Sequence, residues 1–181
     1  IKLTEQPFQA WTFSYPTTDE IEKNAKEFAR LIEEQQDKFD RIYIAAHSLG
    51  GITTQQALYY AYQENLKQQA DKPVYQFVNK VKRVVVVGSP NEGTPGIEPY
   101  KKLFQFLINA KTDTPLFNVN SDIISKLSQG LITPQVPSVD YYVIAGNKPY
   151  PFSNVFFEKV LANGQKVVVP NDGIVGVKSA Q

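Results

Sequence analysis

The chain has 181 residues, 42% apolar and 20% charged, which is ordinary for one soluble globular domain and short for two. Nineteen basic and eighteen acidic residues are interspersed to a net charge of +1, so nothing points to nucleic acid or an anionic surface as partner. The lack of cysteine excludes disulfides and thiolate metal sites and leaves the compartment unread, and no apolar run approaches the ~20 residues of an integral membrane segment.

In chain order, residues 7–15 (PFQAWTFSY) are aromatic-rich, partly alternating and closed by Pro16, which predicts a strand. Thr17 and Glu20 have capping-box spacing, and Ile21, Ala25, Phe28 and Ile32 then form the stripe of an amphipathic helix over 18–36. Residues 41–46 (RIYIAA) read as a strand buried on both faces, followed by a helix over 49–69. Residues 83–88 (RVVVVG) are the clearest strand. Helices are expected at 97–109 and 120–128, a strand at 139–146 (VDYYVIAG) and a short β segment at 166–169. This alternation predicts an α/β fold with a mostly parallel sheet covered by helices on both faces. With no repeat and no linker, 1–181 reads as a single domain.

The chemistry concentrates in residues 44–51, IAAHSLGG, where a buried strand runs directly into a helix through Ser48. This is the setting of a nucleophile elbow, a strained turn that holds a serine oxygen above the sheet edge. Ala46 and Gly50 flank the serine where large side chains would collide with the turn, and Gly51 lets helix and strand approach. The helix N-terminus offers free amides and a positive dipole end, so the N–H of Leu49 is a candidate oxyanion-hole donor. The competing reading is a plain Ser-Gly turn.

Several segments, in order, resemble the bacterial lipase and esterase branch of the α/β-hydrolases. AHSLGG is similar to its elbow, with Ala46 in place of the first glycine. VVVVGSPNEGTPG (84–96) resembles the strand and Thr-Pro loop that follow the nucleophile helix. NVNSDIISKL (118–127), VDYYVIAGN and PNDGIVGVKSA (170–180) resemble later segments, the last of which carries the triad acid. The resemblance implies an α/β-hydrolase fold, and Asp172 as the acid beside Ser48. Asp172 is otherwise explained as part of an Asn-Asp-Gly turn. Glu92, in the loop after the valine strand, is the alternative acid, itself otherwise a surface loop residue.

The only histidine, His47, adjoins the nucleophile and cannot act as its base; a packing or hydrogen-bonding role beneath the elbow is expected. The fold places the triad histidine after the acid and a further strand and oxyanion loop before the first strand seen here. The chain is therefore expected to be part of a longer hydrolase, incomplete at both ends; a reduced, non-catalytic relative is the alternative. The expected function is hydrolysis of a small-molecule acyl ester or lipid through an acyl-enzyme, without metal or organic cofactor. Thioesterase, amidase or acyltransferase chemistry would use the same elbow, and the rival of another class is a binding or scaffold protein on this fold. Residues 97–117, with Leu103, Phe104, Phe106, Leu107 and Ile108, fit equally a lid or acyl-binding helix and a helix packed on the sheet. Two geometric expectations follow: the strand ending at Ala46 is central, and Ser48 has a sparsely populated backbone conformation.

Overall fold

The computed structural model describes residues 8–16, 19–68, 73–93, 131–146, 158–160 and 165–168. The helices expected at 97–109 and 120–128 lie outside the described residues.

Helix α1 spans Ile21–Gln35 and runs into a 3-10 turn at Gln36–Lys38. Its start differs from the expected capping box: Glu20 is itself the N-cap and makes no side-chain capping bond. The approach is fixed instead by Asn24, whose Nδ2 donates to the carbonyl oxygens of Pro16 at 2.9 Å and Asp19 at 3.4 Å. The predicted stripe is the inner face: Ile21, Ala25 and Ala29 are buried, and Phe28 and Ile32 pack against the core. The outer face carries Arg30, paired with Glu27 at 2.6 Å and with Glu34.

Residues 8–15, the described part of the strand expected over 7–15, have no regular secondary structure. Trp11, Phe13 and Tyr15 are engaged in ring packing rather than a ladder. Phe13 stacks on Phe28 with centroids 4.5 Å apart, and Trp11 meets Phe39 edge-on at 5.2 Å.

Strand β1 (Ile42–His47) leads through Ser48 into α2 (Leu49–Lys67). A four-residue helix α3 (Phe77–Lys80), too short to leave a periodic signature, then precedes β2 (Val81–Val87), and β3 is Asp140–Ile144. The order β1-β2-β3 is parallel throughout, with Ile44 opposite Val84, Ala46 opposite Val86 and Val86 opposite Val143. A separate antiparallel pair joins β4 (Glu158–Val160) to β5 (Lys166–Val168).

Period two divides the sheet. On one face Ile42, Ile44, Val84, Val86 and Tyr141 pack with Ala25 and Ala29 of α1 and Ala57, Leu58 and Ala61 of α2 into one core that also takes in Phe77, Val78 and Val81. The alanines on the two helices let their backbones lie close. The other face presents Tyr43, Ala45 and His47 of β1, and Tyr142 and Ile144 of β3, all exposed. Strand β1 is therefore neither central among the described strands nor buried on both faces: it pairs with β2 alone, β2 holds the middle, and Tyr43 is 62% exposed. No helix among the described residues is long and apolar enough to cross a membrane.

Candidate active site

Ser48 sits at the carboxyl end of β1, the edge of an open α/β sheet where ligands bind. Its backbone has φ 52 and ψ −127, and it is the only non-glycine residue with positive φ among the described residues. An L-residue held there costs about 1–3 kcal/mol and persists only when its surroundings over-determine it. Three hydrogen bonds do so. The Ser48 N–H extends the β1–β2 ladder by donating to the Val87 carbonyl at 2.9 Å. The Ser48 carbonyl accepts from the Gly51 N–H at 3.0 Å and from the Ser89 hydroxyl at 2.7 Å. At about 1 kcal/mol each, these bonds offset the backbone cost.

Leu49 is the first residue of α2, so its N–H has no partner within the helix. The 19-residue helix has no acidic residue in its first turn, which leaves its positive end undiminished beside Ser48. Gly51 makes the close approach that was expected of it: a Cβ there would stand 1.9 Å from Ser89 Oγ and 2.7 Å from Val86 Cγ1. Outside its own helix turn, a Cβ at Gly50 would meet the Tyr15 hydroxyl at 3.6 Å, an ordinary contact. The tight position is thus Gly51, and Tyr15 is brought from the N-terminal segment to the start of α2.

The loop after β2 closes around the same helix turn. Gln55 Nε2 donates to the Gly51 carbonyl at 3.2 Å and to Asn91 Oδ1 at 3.0 Å. The Asn91 carbonyl accepts from Leu131 N–H at 2.9 Å, and Gly93 takes φ 86. Glu92 is exposed within this turn. His47 does not pack beneath the elbow: with Tyr43 and Ala45 it lies on the exposed sheet face, because position 47 has the parity of that face. Asp172 lies outside the described residues. Among the described residues no cluster of His, Cys, Asp or Glu is placed to hold a metal ion. Ser89, Gln55, Asn91 and Tyr15 were not singled out from the sequence. For Ser89 and Asn91 the available signal was position alone, in the loop at the carboxyl edge of the valine strand.

Residues 17–103 match the model of a family described as "Putative serine esterase (DUF676)". Among solved structures, the mature form of lipase BlEst2 from Bacillus licheniformis aligns with TM-score 0.57 and 20% identity over 90% of this chain. Its propeptide form aligns with TM-score 0.54 and 22% identity, also over 90%. The chain has an α/β-hydrolase fold. The chain is similar in fold to this bacterial lipase, and it spans 62% of the mature form and 34% of the propeptide form. No curated protein matches it.

Proposed function

We propose that this α/β-hydrolase chain is the core of a serine esterase or lipase that cleaves carboxylic esters through an acyl-enzyme. The observation that carries the reading is the backbone of Ser48, positive in φ and pinned between a parallel strand and the N-terminus of α2. Such a turn presents its side chain at the sheet edge and puts the next amide beside it. The esterase family match and the lipase neighbours support an acyl ester as substrate.

In this mechanism Ser48 Oγ forms a bond to the acyl carbon while its proton passes to a histidine outside residues 1–181, oriented by Asp172. The Leu49 N–H and the positive end of α2 hold the tetrahedral oxyanion. The alcohol leaves with the proton, and water then releases the acid by the reverse sequence. The test is labelling of the complete gene product by a fluorophosphonate, with hydrolysis of a p-nitrophenyl ester measured in parallel. Ser48→Ala is expected to abolish both without unfolding the protein, and Asp172→Asn to lower kcat by about 10⁴-fold. Glu92→Gln is expected to leave the rate near that of the wild type. Lack of labelling together with inactivity on ester, thioester and amide would favour a binding protein on the same fold.

A further inference from the structure

We infer that Ser89 is a positioning residue for ester cleavage, aiming the Leu49 N–H at the oxyanion by holding the far end of the same peptide plane. The inference rests on Ser48 being the nucleophile. The Ser48 carbonyl and the Leu49 N–H belong to one planar trans peptide unit and point in opposite directions. Whatever fixes the carbonyl oxygen therefore fixes the amide. Ser89 Oγ donates to that oxygen at 2.7 Å from a residue that is 0% exposed, so the bond is shielded from competing water.

Ser89 is itself held in place. The preceding residue, Gly88, takes φ 52 and donates its N–H to the Ile144 carbonyl of β3 at 2.9 Å, while the Ser89 carbonyl accepts from Asn91 N–H at 3.0 Å. Gly51 supplies the room for the hydroxyl, since a Cβ at that position would lie 1.9 Å from it. The arrangement thus runs from β3 through Gly88 and Ser89 to the Ser48–Leu49 peptide. A donor that is fixed before reaction stabilises the transition state without reorganising.

The experiment compares wild type, Ser89→Ala and Ser89→Cys in the complete gene product. The cysteine fills the same space with a much weaker donor. Losing one oxyanion donor outright costs roughly 10²–10³ in kcat, so misaiming it is expected to cost about 10- to 100-fold. KM should change by less than about threefold, because the interaction is made only in the transition state. Affinity for a boronic acid, whose serine adduct is tetrahedral and anionic, should fall in step with kcat in both variants, whatever happens to Tm. The inference is overturned if kcat and boronate affinity stay at wild-type levels in the variants. It is equally overturned if Ser89→Cys matches wild type while Ser89→Ala is impaired, which would make the role one of packing. Should Ser89→Ala fail to fold, Ser89→Cys alone decides. A wild type that no fluorophosphonate labels refutes Ser48 as nucleophile and this inference with it; a labelled wild type with unaffected variants refutes this inference only.

Discussion

The two glycines after Ser48 allow a paired test of how the turn between β1 and α2 is built. Both lie in the first turn of α2, so alanine at either position gains roughly 1 kcal/mol of helix propensity. Their surroundings differ. A Cβ on Gly51 would lie 1.9 Å from Ser89 Oγ, 2.7 Å from Val86 Cγ1 and 2.9 Å from Ser89 Cβ, three atoms of buried residues that have little freedom to move. Overpacking of this kind costs about 1–3 kcal/mol. Displacing the Ser89 hydroxyl also breaks its bond to the Ser48 carbonyl, for about another 1 kcal/mol. Net destabilisation of Gly51→Ala is therefore about 1–3 kcal/mol, or several degrees in Tm for a chain of this size. Outside its own helix turn, a Cβ on Gly50 would meet the Tyr15 hydroxyl at 3.6 Å, an ordinary contact, so Gly50→Ala should leave Tm unchanged or raise it slightly. Thermal unfolding followed by circular dichroism measures both, and the rate of fluorophosphonate labelling reports whether Ser48 has moved. A Gly51→Ala variant as stable as wild type, or a Gly50→Ala variant more damaged than Gly51→Ala, would refute this account of the turn.

Two further predictions concern the connection between α2 and β2. Asn65 Nδ2 donates to the Tyr75 carbonyl at 2.9 Å, and the Tyr75 N–H donates to Asn65 Oδ1 at 2.8 Å, so Asn65→Ala should destabilise the protein by roughly 1–3 kcal/mol in urea unfolding. Burial, with a hydrogen bond donated by the Tyr75 hydroxyl to Tyr60 second, pushes the Tyr75 phenol from 10.0 up to about 12. The folded state then binds this proton more tightly than the unfolded state, so the stabilisation is complete below pH 10 and is lost as pH rises through about 12. Wild type should lose stability relative to Tyr75→Phe across that window, and a pH-independent difference between the two would count against it.

Much of the fold was legible because its signals were local. The four valines of β2 and the stripe Ile21, Ala25, Phe28, Ile32 are periodic, and periodicity survives without knowledge of neighbours. Residues 8–15 show the limit of that reading. Alternating aromatics satisfy a strand pattern, yet here Phe13 and Trp11 find ring partners at Phe28 and Phe39, a choice made by tertiary packing. Likewise RIYIAA reads as a doubly buried strand by composition, while the structure exposes Tyr43 and Ala45 on the sheet face that α1 and α2 do not cover. Burial on the second face depends on what lies against it, and no strand encodes its own cover.

The candidate site divides along the same line. Ser48 could be singled out because a strand, a small-residue turn and a helix follow one another without a gap in the sequence, and its positive φ is the local expression of that junction. What holds the turn open is not local. Ser89 is 41 positions away in sequence and Asn91 is 36 from the Gln55 it bonds; both arrive with β2 because that strand pairs in register with β1 as far as His47 and Val87. Register is thus the physical link between the two halves of the site: a slip of one residue would turn Val84 and Val86 out of the core. It would also carry Ser89 away from the Ser48 carbonyl, so the packing that selects the register also selects the geometry of the turn at Ser48.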